Sequence, residues 1–237
     1  MALTKRLIDR HVTLGPGAIV VDVGCGDTFV AEELARQHPQ ARFYAVDSAF
    51  TDELMATYRA RLRVPNVSIL ASLDALPLTQ PATLILLMDV VEHISDDHGF
   101  LQDLRDRPCA GQDTRWLITV PSYGWLFSEH DRFLGHHRRY SIPRLHELLA
   151  AVGLSPLESG SWFVSLFAIR ALQVVRERLL GAAKGGTTDV AAWRGDDRTA
   201  RLLATILTLD GSAGVSLARV GLRLPGLSSF AICRTSA

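Results

Sequence analysis

The sequence has no excess of charge of either sign: over 237 residues, 25 lysine and arginine residues balance 25 aspartate and glutamate residues. Proteins that bind a nucleic-acid backbone usually carry a basic surplus, so the balance does not favour that class. Aromatic residues make up only 7% of the chain, which leaves few side chains for stacking on bases. The composition therefore does not favour a nucleic-acid ligand.

Cysteines and long apolar runs are scarce as well. The three cysteines, Cys25, Cys109 and Cys233, are odd in number and widely spaced, which predicts no disulfide framework and a reducing compartment. The first ten residues alternate charged and apolar side chains and do not resemble a secretory signal. The longest apolar candidate, residues 162–175, is interrupted by polar side chains, so we expect no transmembrane segment and a cytoplasmic location.

What the sequence does have is a full hydrophobic core, with 48% hydrophobic and 21% charged residues. Through the first two-thirds of the chain, short apolar runs alternate with amphipathic helical patterns, which is typical of a parallel sheet covered on both faces. The predicted strands are residues 18–23, 41–47, 67–72, 83–89 and 115–121. We expect a single α/β domain over residues 1–237.

The pattern changes after residue 153. A sixth strand is predicted at 155–163 and a last one at 228–235, and between them lie helical stretches at 164–180 and 198–222, separated by a loop rich in glycine, alanine and aspartate. We predict that residues 164–224 form a helical insertion that caps the ligand edge of the sheet as a lid. The same insertion could instead serve as a homodimer face or as a peripheral membrane contact.

A glycine-containing loop follows the first predicted strand, in the segment IVVDVGCGDTFVAEEL (residues 19–34). Gly24 and Gly26 allow a sharp turn and the close approach of a ligand, and we interpret Cys25 between them as a small buried residue. Asp47 closes the second strand, where its carboxylate can hold a ribose diol. Phe29 stands where a dinucleotide site needs a third glycine, which disfavours a nucleotide-dependent oxidoreductase.

With these residues the sequence resembles the class I S-adenosylmethionine-dependent methyltransferases. The first loop of that family reads D-x-G-x-G-x-G, matched here by Asp22, Gly24 and Gly26, with Thr28 in the place of the third glycine. Asp47 matches the acidic residue after strand two, and the string LLMDVVEHI (86–94) matches a common strand-four ending. After strand three, Ser72 stands where the family often has an acid.

The resemblance implies a Rossmann-like, seven-stranded α/β methyltransferase sheet that is mostly parallel, with an antiparallel last strand, and S-adenosyl-L-methionine as cofactor. The implied cofactor-binding residues are Gly24, Cys25, Gly26, Asp47, Ser48, Ser72, Leu73, Asp74, Asp89 and Val90. Two further functional classes stay open beside a small-molecule methyltransferase: an RNA-directed methyltransferase, and a partner protein that binds the cofactor without catalysis.

The chain also resembles a methyltransferase subgroup with the segment SEHDRFLGHHRRY (128–140) after strand five. If the acceptor is a hydroxyl, its proton must leave, and His130 is the candidate general base, with Asp131 beside it and His93 as a further catalytic candidate. The candidate acceptor-binding residues are His136, His137, Arg138, Arg139 and Tyr140. The two arginines suggest an anionic group on an otherwise apolar acceptor.

A divalent-ion site is an alternative at the end of strand four. The spacing of Asp89, Glu92 and His93 would place all three on one face of a helical turn. This resembles the Glu-x-x-Glu-His metal site of ubiquinone-pathway O-methyltransferases and small-RNA 2′-O-methyltransferases, with Asp89 in place of the first glutamate. We favour a metal-free O-methylation.

Overall fold

The computed structural model describes residues 1–180, 205, 207, 209–212 and 224–236. Its strands are β1 (Ile19–Val23), β2 (Arg42–Val46), β3 (Val67–Leu70), β4 (Leu84–Met88), β5 (Arg115–Pro121), β6 (Leu154–Trp162) and β7 (Ser228–Thr235). The helices of the described part are α1 (Ala2–His11), α2 (Phe29–Gln37), α3 (Asp52–Arg61), α4 (Asp97–Asp106), α5 (Glu129–Phe133), α6 (Ile142–Ala151) and α7 (Val164–Leu180).

All seven strands form one sheet in the order β3-β2-β1-β4-β5-β7-β6. The strands from β3 to β5 run parallel to their neighbours, whereas β7 runs antiparallel to both β5 and β6. The predicted mostly parallel sheet with an antiparallel last strand is therefore confirmed. Because β6 is parallel to β5, the carboxyl ends of β1 to β6 all meet at the same edge.

The first strand shows how the sheet acquires two buried faces. All five residues of β1 are buried. Ile19 and Val21 pack in one core cluster, and Val20 packs in the other, on the opposite face. Alternation of side chains along a strand explains this division, and burial on both faces explains why the sequence of β1 is a continuous apolar run.

The helices that follow β1 and β4 pack on opposite faces of the sheet. Leu34 of α2 packs in the cluster that contains Val20, whereas Leu101 and Leu104 of α4 pack in the cluster that contains Ile19. Since β1 lies between β2 and β4, the connections after β1 and β4 diverge and open a crevice at the carboxyl ends of these two strands. This crevice is where an open α/β sheet binds its ligand.

The predicted insertion before the last strand is described in part. The first helical stretch is confirmed as α7, which leaves Ile169, Leu172 and Val175 exposed among the described residues. The predicted loop at 181–197 lies outside the described residues, as does the second helical stretch at 198–222 except for residues 205, 207 and 209–212. No helix in the described ranges has both the length and the apolar character needed to cross a membrane.

Packing of α6 on the sheet gives a test of the described core. Leu145 of α6 is fully buried, whereas Leu157 of β6 is 42% exposed. We expect Leu145→Ala to lower the free energy of unfolding by about 2–5 kcal/mol, because it leaves a cavity in the core. Leu157→Ala is the matched control and should change it little. Denaturant titrations of both variants measure the difference, and equal losses would contradict this packing of α6.

Candidate cofactor and acceptor site

The loop after β1 turns sharply and packs against the end of β4. The backbone amides of Gly24 and Cys25 donate to the carbonyl of Val46, at 2.8 and 3.2 Å. Gly24 has a φ of +69°, and a Cβ added there would lie 2.6 Å from Cγ2 of Val90. A side chain at Gly24 is therefore excluded both by backbone conformation and by space.

Asp47 at the end of β2 holds the second glycine of this loop. The amide of Gly26 donates to Oδ2 of Asp47 at 2.9 Å, and the amide of Ala49 donates to Oδ1 at 2.9 Å. Each carboxylate oxygen retains lone-pair capacity for a further hydrogen bond. A Cβ added at Gly26 would meet no atom within 4 Å, so open space lies above this part of the loop.

Thr28 adopts the conformation that a glycine would have in the third position of the motif. Its φ is +68°, in the left-handed region, and the residue is fully buried. The hydroxyl donates to Oε1 of Glu32 at 2.7 Å, which gives the buried side chain a partner inside α2. The departure from glycine at this position thus leaves the turn in its left-handed geometry.

Asp22 places a buried carboxylate directly below the loop. The residue is 2% exposed, and its Oδ2 has no hydrogen-bond partner among the described residues. Burial, together with the nearby charge of Asp47, raises the pKa of Asp22 to about 7. A buried acceptor oxygen without a donor suits a cationic ligand group such as the ammonium of an amino acid, so the loop fits an adenosyl cofactor that carries one.

The structure separates the candidates after β3. The hydroxyl of Ser72 accepts a hydrogen bond from the amide of Asp74 at 3.1 Å and caps a short 3-10 turn, Leu73–Ala75. The exposed carboxylate of Asp74 pairs with Arg107. Because the carboxylate of Asp74 already forms an ion pair with Arg107, Ser72 and Leu73 are the better candidates for contact with an adenine. Ser48, beside Asp47, is exposed.

The end of β4 turns abruptly at Asp89, which has a φ of +55°. Its amide donates to the carbonyl and the hydroxyl oxygen of Thr119, and that hydroxyl donates to Oδ1 of Asp89 at 3.1 Å. A 3-10 turn, Val91–His93, follows and places Glu92 in the interior and His93 at the surface. Because Asp89 precedes this turn in a left-handed conformation, it does not share a helical face with Glu92 and His93, contrary to the sequence-based expectation.

A residue from the segment after β5 completes a cluster with these two side chains. Ligand atoms of Glu92, His93 and His136 all lie within 4.8 Å of one another, and Asp89 is not part of this group. Glu92 is fully buried, and neither of its carboxylate oxygens has a hydrogen-bond partner among the described residues. Burial and the charge of Asp89 raise the pKa of Glu92 to about 8.

Asp131 pairs with His136 and not with His130. Oδ1 of Asp131 accepts from Nδ1 of His136 at 3.0 Å and from Nε of Arg139 at 2.7 Å, and Oδ2 accepts from the amide of Ser128 at 2.9 Å. Burial raises the pKa of Asp131, but the donors Arg139 and His136 outweigh it and hold that pKa below its usual range. His130 is exposed on α5, and no described residue makes a hydrogen bond or ion pair with its side chain.

Three other acceptor-binding candidates, Arg138, Arg139 and Tyr140, make ion pairs or hydrogen bonds within the protein. Nη1 of Arg138 lies 2.7 Å from Oδ2 of Asp97, and the hydroxyl of the fully buried Tyr140 donates to the same oxygen at 2.7 Å. Arg139 is engaged by Asp131. Both guanidinium groups thus have internal partners, contrary to the expectation that they would be available for an anionic acceptor group. His137 is exposed, and its amide donates to the carbonyl of Glu92 at 2.8 Å.

Comparison with known proteins identifies the family to which the chain belongs. The family model described as a methyltransferase domain matches residues 2–159. The chain belongs to this methyltransferase family. It is an S-adenosylmethionine-dependent methyltransferase of class I, as the resemblance of its loop and strand endings implied. A search of the curated proteins finds no match.

Solved structures share the fold of the methyltransferase over nearly its whole length. A protein from Bacillus halodurans described as a methyltransferase is 14% identical, with a TM-score of 0.57 and 99% of both chains covered. A Haloferax volcanii complex of the Trm112 methyltransferase activator with another such protein is 14% identical, with a TM-score of 0.58 and coverage of 99% of this chain and 89% of that one. Phosphoethanolamine N-methyltransferase 2 of Haemonchus contortus, with S-adenosylmethionine bound, is 13% identical, with a TM-score of 0.56 and coverage of 100% and 52%. These low identities show a common fold alone.

An aromatic group at the ends of β5 and β6 was not singled out from the sequence as a unit of the methyltransferase. The ring of Tyr123 lies 5.2 Å from that of Phe167 and 6.4 Å from that of Trp125, and the rings of Trp125 and Phe167 are 5.9 Å apart. We call these three residues the aromatic cluster. Trp162, in contrast, is buried and stacks on Phe230 in the core.

Left-handed backbone conformations mark the same edge of the methyltransferase. In the described part of the chain, the non-glycine residues with positive φ are Thr28, Asp89, Tyr123 and Phe163. They follow β1, β4, β5 and β6, whose carboxyl ends all meet at this edge. Such conformations cost about 1–3 kcal/mol each and concentrate at functional sites. Their distribution agrees with a ligand site that extends from the glycine loop to the aromatic cluster.

Binding of S-adenosylhomocysteine tests the cofactor half of the site. We expect Asp47→Ala to weaken binding about 10- to 100-fold, because it removes a carboxylate that can accept the ribose hydroxyls and that fixes the amide of Gly26. Asp74→Ala is the matched control, since its carboxylate pairs with Arg107. Isothermal titration calorimetry on both variants measures the effect. A loss at Asp74 with none at Asp47 would reverse the assignment of the two carboxylates.

Proposed function

We propose that this methyltransferase transfers the methyl group of S-adenosylmethionine to an oxygen atom of a small-molecule acceptor with an apolar body. The observation that carries the proposal is the contact between Gly24 and Val90. It links the loop after β1 to the end of β4, only two residues before Glu92, which lies beside His136. A cofactor bound on the glycine loop would therefore lie next to the cluster of Glu92, His93 and His136.

The cofactor half of the proposed site combines the loop with two carboxylates. Gly24 and Gly26 allow a ligand to approach the backbone, Asp47 would accept the ribose hydroxyls, and Asp22 would face the amino-acid moiety. Ser72, Leu73 and Val90 are proposed to flank the adenine. Methyl transfer from a sulfonium releases a neutral thioether, so the leaving group needs no proton. The main task of the protein is then to hold the acceptor in line with the methyl carbon.

The acceptor half would be formed by the aromatic cluster. Tyr123 and Phe167 are partly buried, and Trp125 is 43% exposed, so the three rings present an apolar surface that the described residues do not fully cover. Arg170 of α7 donates to the hydroxyl of Ser128, which ties the helix carrying Phe167 to the segment after β5. These contacts support an aromatic or otherwise apolar acceptor. They give less support to an anionic one, because Arg138 and Arg139 already have internal partners.

The reacting hydroxyl is proposed to lie at the cluster of Glu92, His93 and His136. A hydroxyl acceptor must lose its proton during transfer, and these side chains can accept the proton or bind an ion that acidifies the hydroxyl. His130 is the weaker candidate, since Asp131 orients His136 instead. The RNA alternative gains no support from the two arginines, because Arg138 pairs with Asp97 and Arg139 pairs with Asp131.

An acceptor panel tests the proposed substrate class. We expect S-adenosylhomocysteine to form with phenolic or other apolar hydroxyl compounds, and Trp125→Ala to raise their KM several-fold with little change in kcat. Leu172→Ala, which truncates an exposed leucine of α7, is the control. Primary amines and a short RNA complete the panel. Turnover confined to amines or to RNA would overturn the assignment to an oxygen of a small molecule.

A pair of histidine variants tests where the proton is handled. We expect His136→Asn to lower kcat by about 100-fold or more, because it removes the imidazole that Asp131 orients. His130→Asn should retain nearly the full kcat, since His130 is exposed and lacks a described partner. Steady-state kinetics with the best acceptor of the panel measures both. The opposite ranking would restore His130 as the general base.

A further inference from the structure

The cluster of Glu92, His93 and His136 brings three metal-binding groups together. One carboxylate oxygen and two imidazole nitrogens lie within 4.8 Å of one another. The rings of His93 and His136 meet edge to face, with centroids 4.7 Å apart and an interplanar angle of 85°. Since nitrogen and oxygen ligands lie about 2.0–2.2 Å from a bound zinc ion, small side-chain rotations suffice for all three to reach a shared ion.

Glu92 is a buried carboxylate without a donor. Both of its side-chain oxygens are buried, and neither has a hydrogen-bond partner among the described residues. The guanidinium of Arg139, which acts electrostatically on Glu92, donates instead to Asp131 and to the carbonyl of Ser122. A buried carboxylate without a partner either takes up a proton or is compensated by a nearby cation. A cation held in the cluster would supply that compensation.

One ring nitrogen of His136 is fixed by a carboxylate. Its Nδ1 donates to the carboxylate of Asp131 at 3.0 Å, which leaves Nε2 with a free lone pair in the neutral ring. Metal-binding histidines commonly have their second nitrogen fixed by a carboxylate in this way. Asp131 is itself held by Arg139 and by the amide of Ser128, so the ring is fixed by a buried network.

The charge around the cluster also favours a cation. Asp89 and Asp131 both act electrostatically on Glu92, and the guanidinium of Arg139, which pairs with Asp131, acts on Glu92 with the opposite sign. When ionised, these three carboxylates carry more negative charge than the guanidinium of Arg139 balances, a surplus that a bound cation would offset. The surplus lies beside an exposed histidine, His93, so an ion from solution can reach it.

We propose that Glu92, His93 and His136 bind a divalent transition-metal ion, with zinc as the representative of the class. Two imidazoles and one carboxylate suit zinc, cobalt, iron or nickel better than magnesium or calcium, which prefer oxygen ligands throughout. Three protein ligands also leave a coordination position open. The sequence suggested Asp89 as the third ligand of such a site. In the structure, His136 is the third member of the group.

The open position gives the ion a role in methyl transfer, and this role rests on the function proposed above. An acceptor hydroxyl bound there would become more acidic and lose its proton to water. The oxygen would then form a bond to the methyl carbon while the carbon–sulfur bond breaks, and the bonding electron pair would remain on sulfur as neutral S-adenosylhomocysteine.

The test measures metal binding without turnover. Tag-free protein is treated with a chelator, dialysed, and titrated with Zn²⁺, Co²⁺ or Mg²⁺ by calorimetry, and the visible absorption of bound Co²⁺ is recorded. We expect one Zn²⁺ or Co²⁺ per chain and much weaker binding of Mg²⁺. Titration of the same preparation with S-adenosylhomocysteine separates the two proposals, because cofactor binding without metal binding would refute only the metal site.

Variants assign the metal to the cluster. We expect Glu92→Gln and His136→Asn each to weaken Zn²⁺ binding by more than about 100-fold, since each removes a direct ligand. Glu92→Gln should fold at least as stably as the metal-free wild type, because it replaces a buried unpaired carboxylate with a neutral group of equal size. His98→Asn, an exposed histidine at the start of α4, is the matched control and should bind Zn²⁺ as the wild type does.

Two outcomes would overturn the proposal. One is the absence of stoichiometric Zn²⁺ or Co²⁺ binding to the folded wild type, which would leave Glu92 as a buried neutral acid. The other is unchanged binding in both Glu92→Gln and His136→Asn, which would place the ion elsewhere. Stoichiometric binding that both variants lose and His98→Asn retains would establish the site.

Discussion

The buried carboxylate of Asp131 holds the segment after β5 in its place. It accepts from the amide of Ser128 at the start of α5, from the ring of His136, and from the guanidinium of Arg139. These three donors come from both sides of a tight turn, so one side chain fixes the path of the chain from the end of β5 to the start of α6. Through His136 the same carboxylate also determines which imidazole faces Glu92.

Unusual backbone conformations are concentrated at the ligand edge of the sheet. The four left-handed non-glycine residues of the described chain follow β1, β4, β5 and β6, which run parallel and end at this edge. At Asp89 the turn is held by hydrogen bonds with Thr119, and at Thr28 by the hydroxyl bond to Glu32. Neighbouring elements thus stabilise conformations that the isolated segments would rarely adopt.

The fold and the cofactor loop could be predicted from the sequence because both depend on local patterns. Apolar runs identify the strands, and the positions of Gly24, Gly26 and Asp47 at strand ends place them at one edge, since parallel strands end together. The shape of the loop at Thr28 could not be predicted, because a β-branched residue seldom adopts positive φ.

The candidate acceptor site was harder to predict because its contacts join distant parts of the chain. His136 reaches Glu92 only through the turn that Asp131 holds, and sequence spacing instead suggested Asp89. Likewise, Arg138 and Arg139 are charged residues in an exposed-looking segment, and nothing local shows that Asp97 and Asp131 neutralise them. Side-chain partners of this kind depend on tertiary packing.

The position of β7 has a consequence for how the sheet is completed during synthesis. β7 lies between β5 and β6, although it is the last of these seven strands to be synthesised. Until residues 228–235 emerge, β5 presents an open hydrogen-bonding edge and β6 has no neighbour to pair with. A nascent chain that already contains the cofactor loop and the acceptor segment thus remains an unfinished sheet with an edge open to intermolecular pairing, a state in which chaperones typically engage a protein.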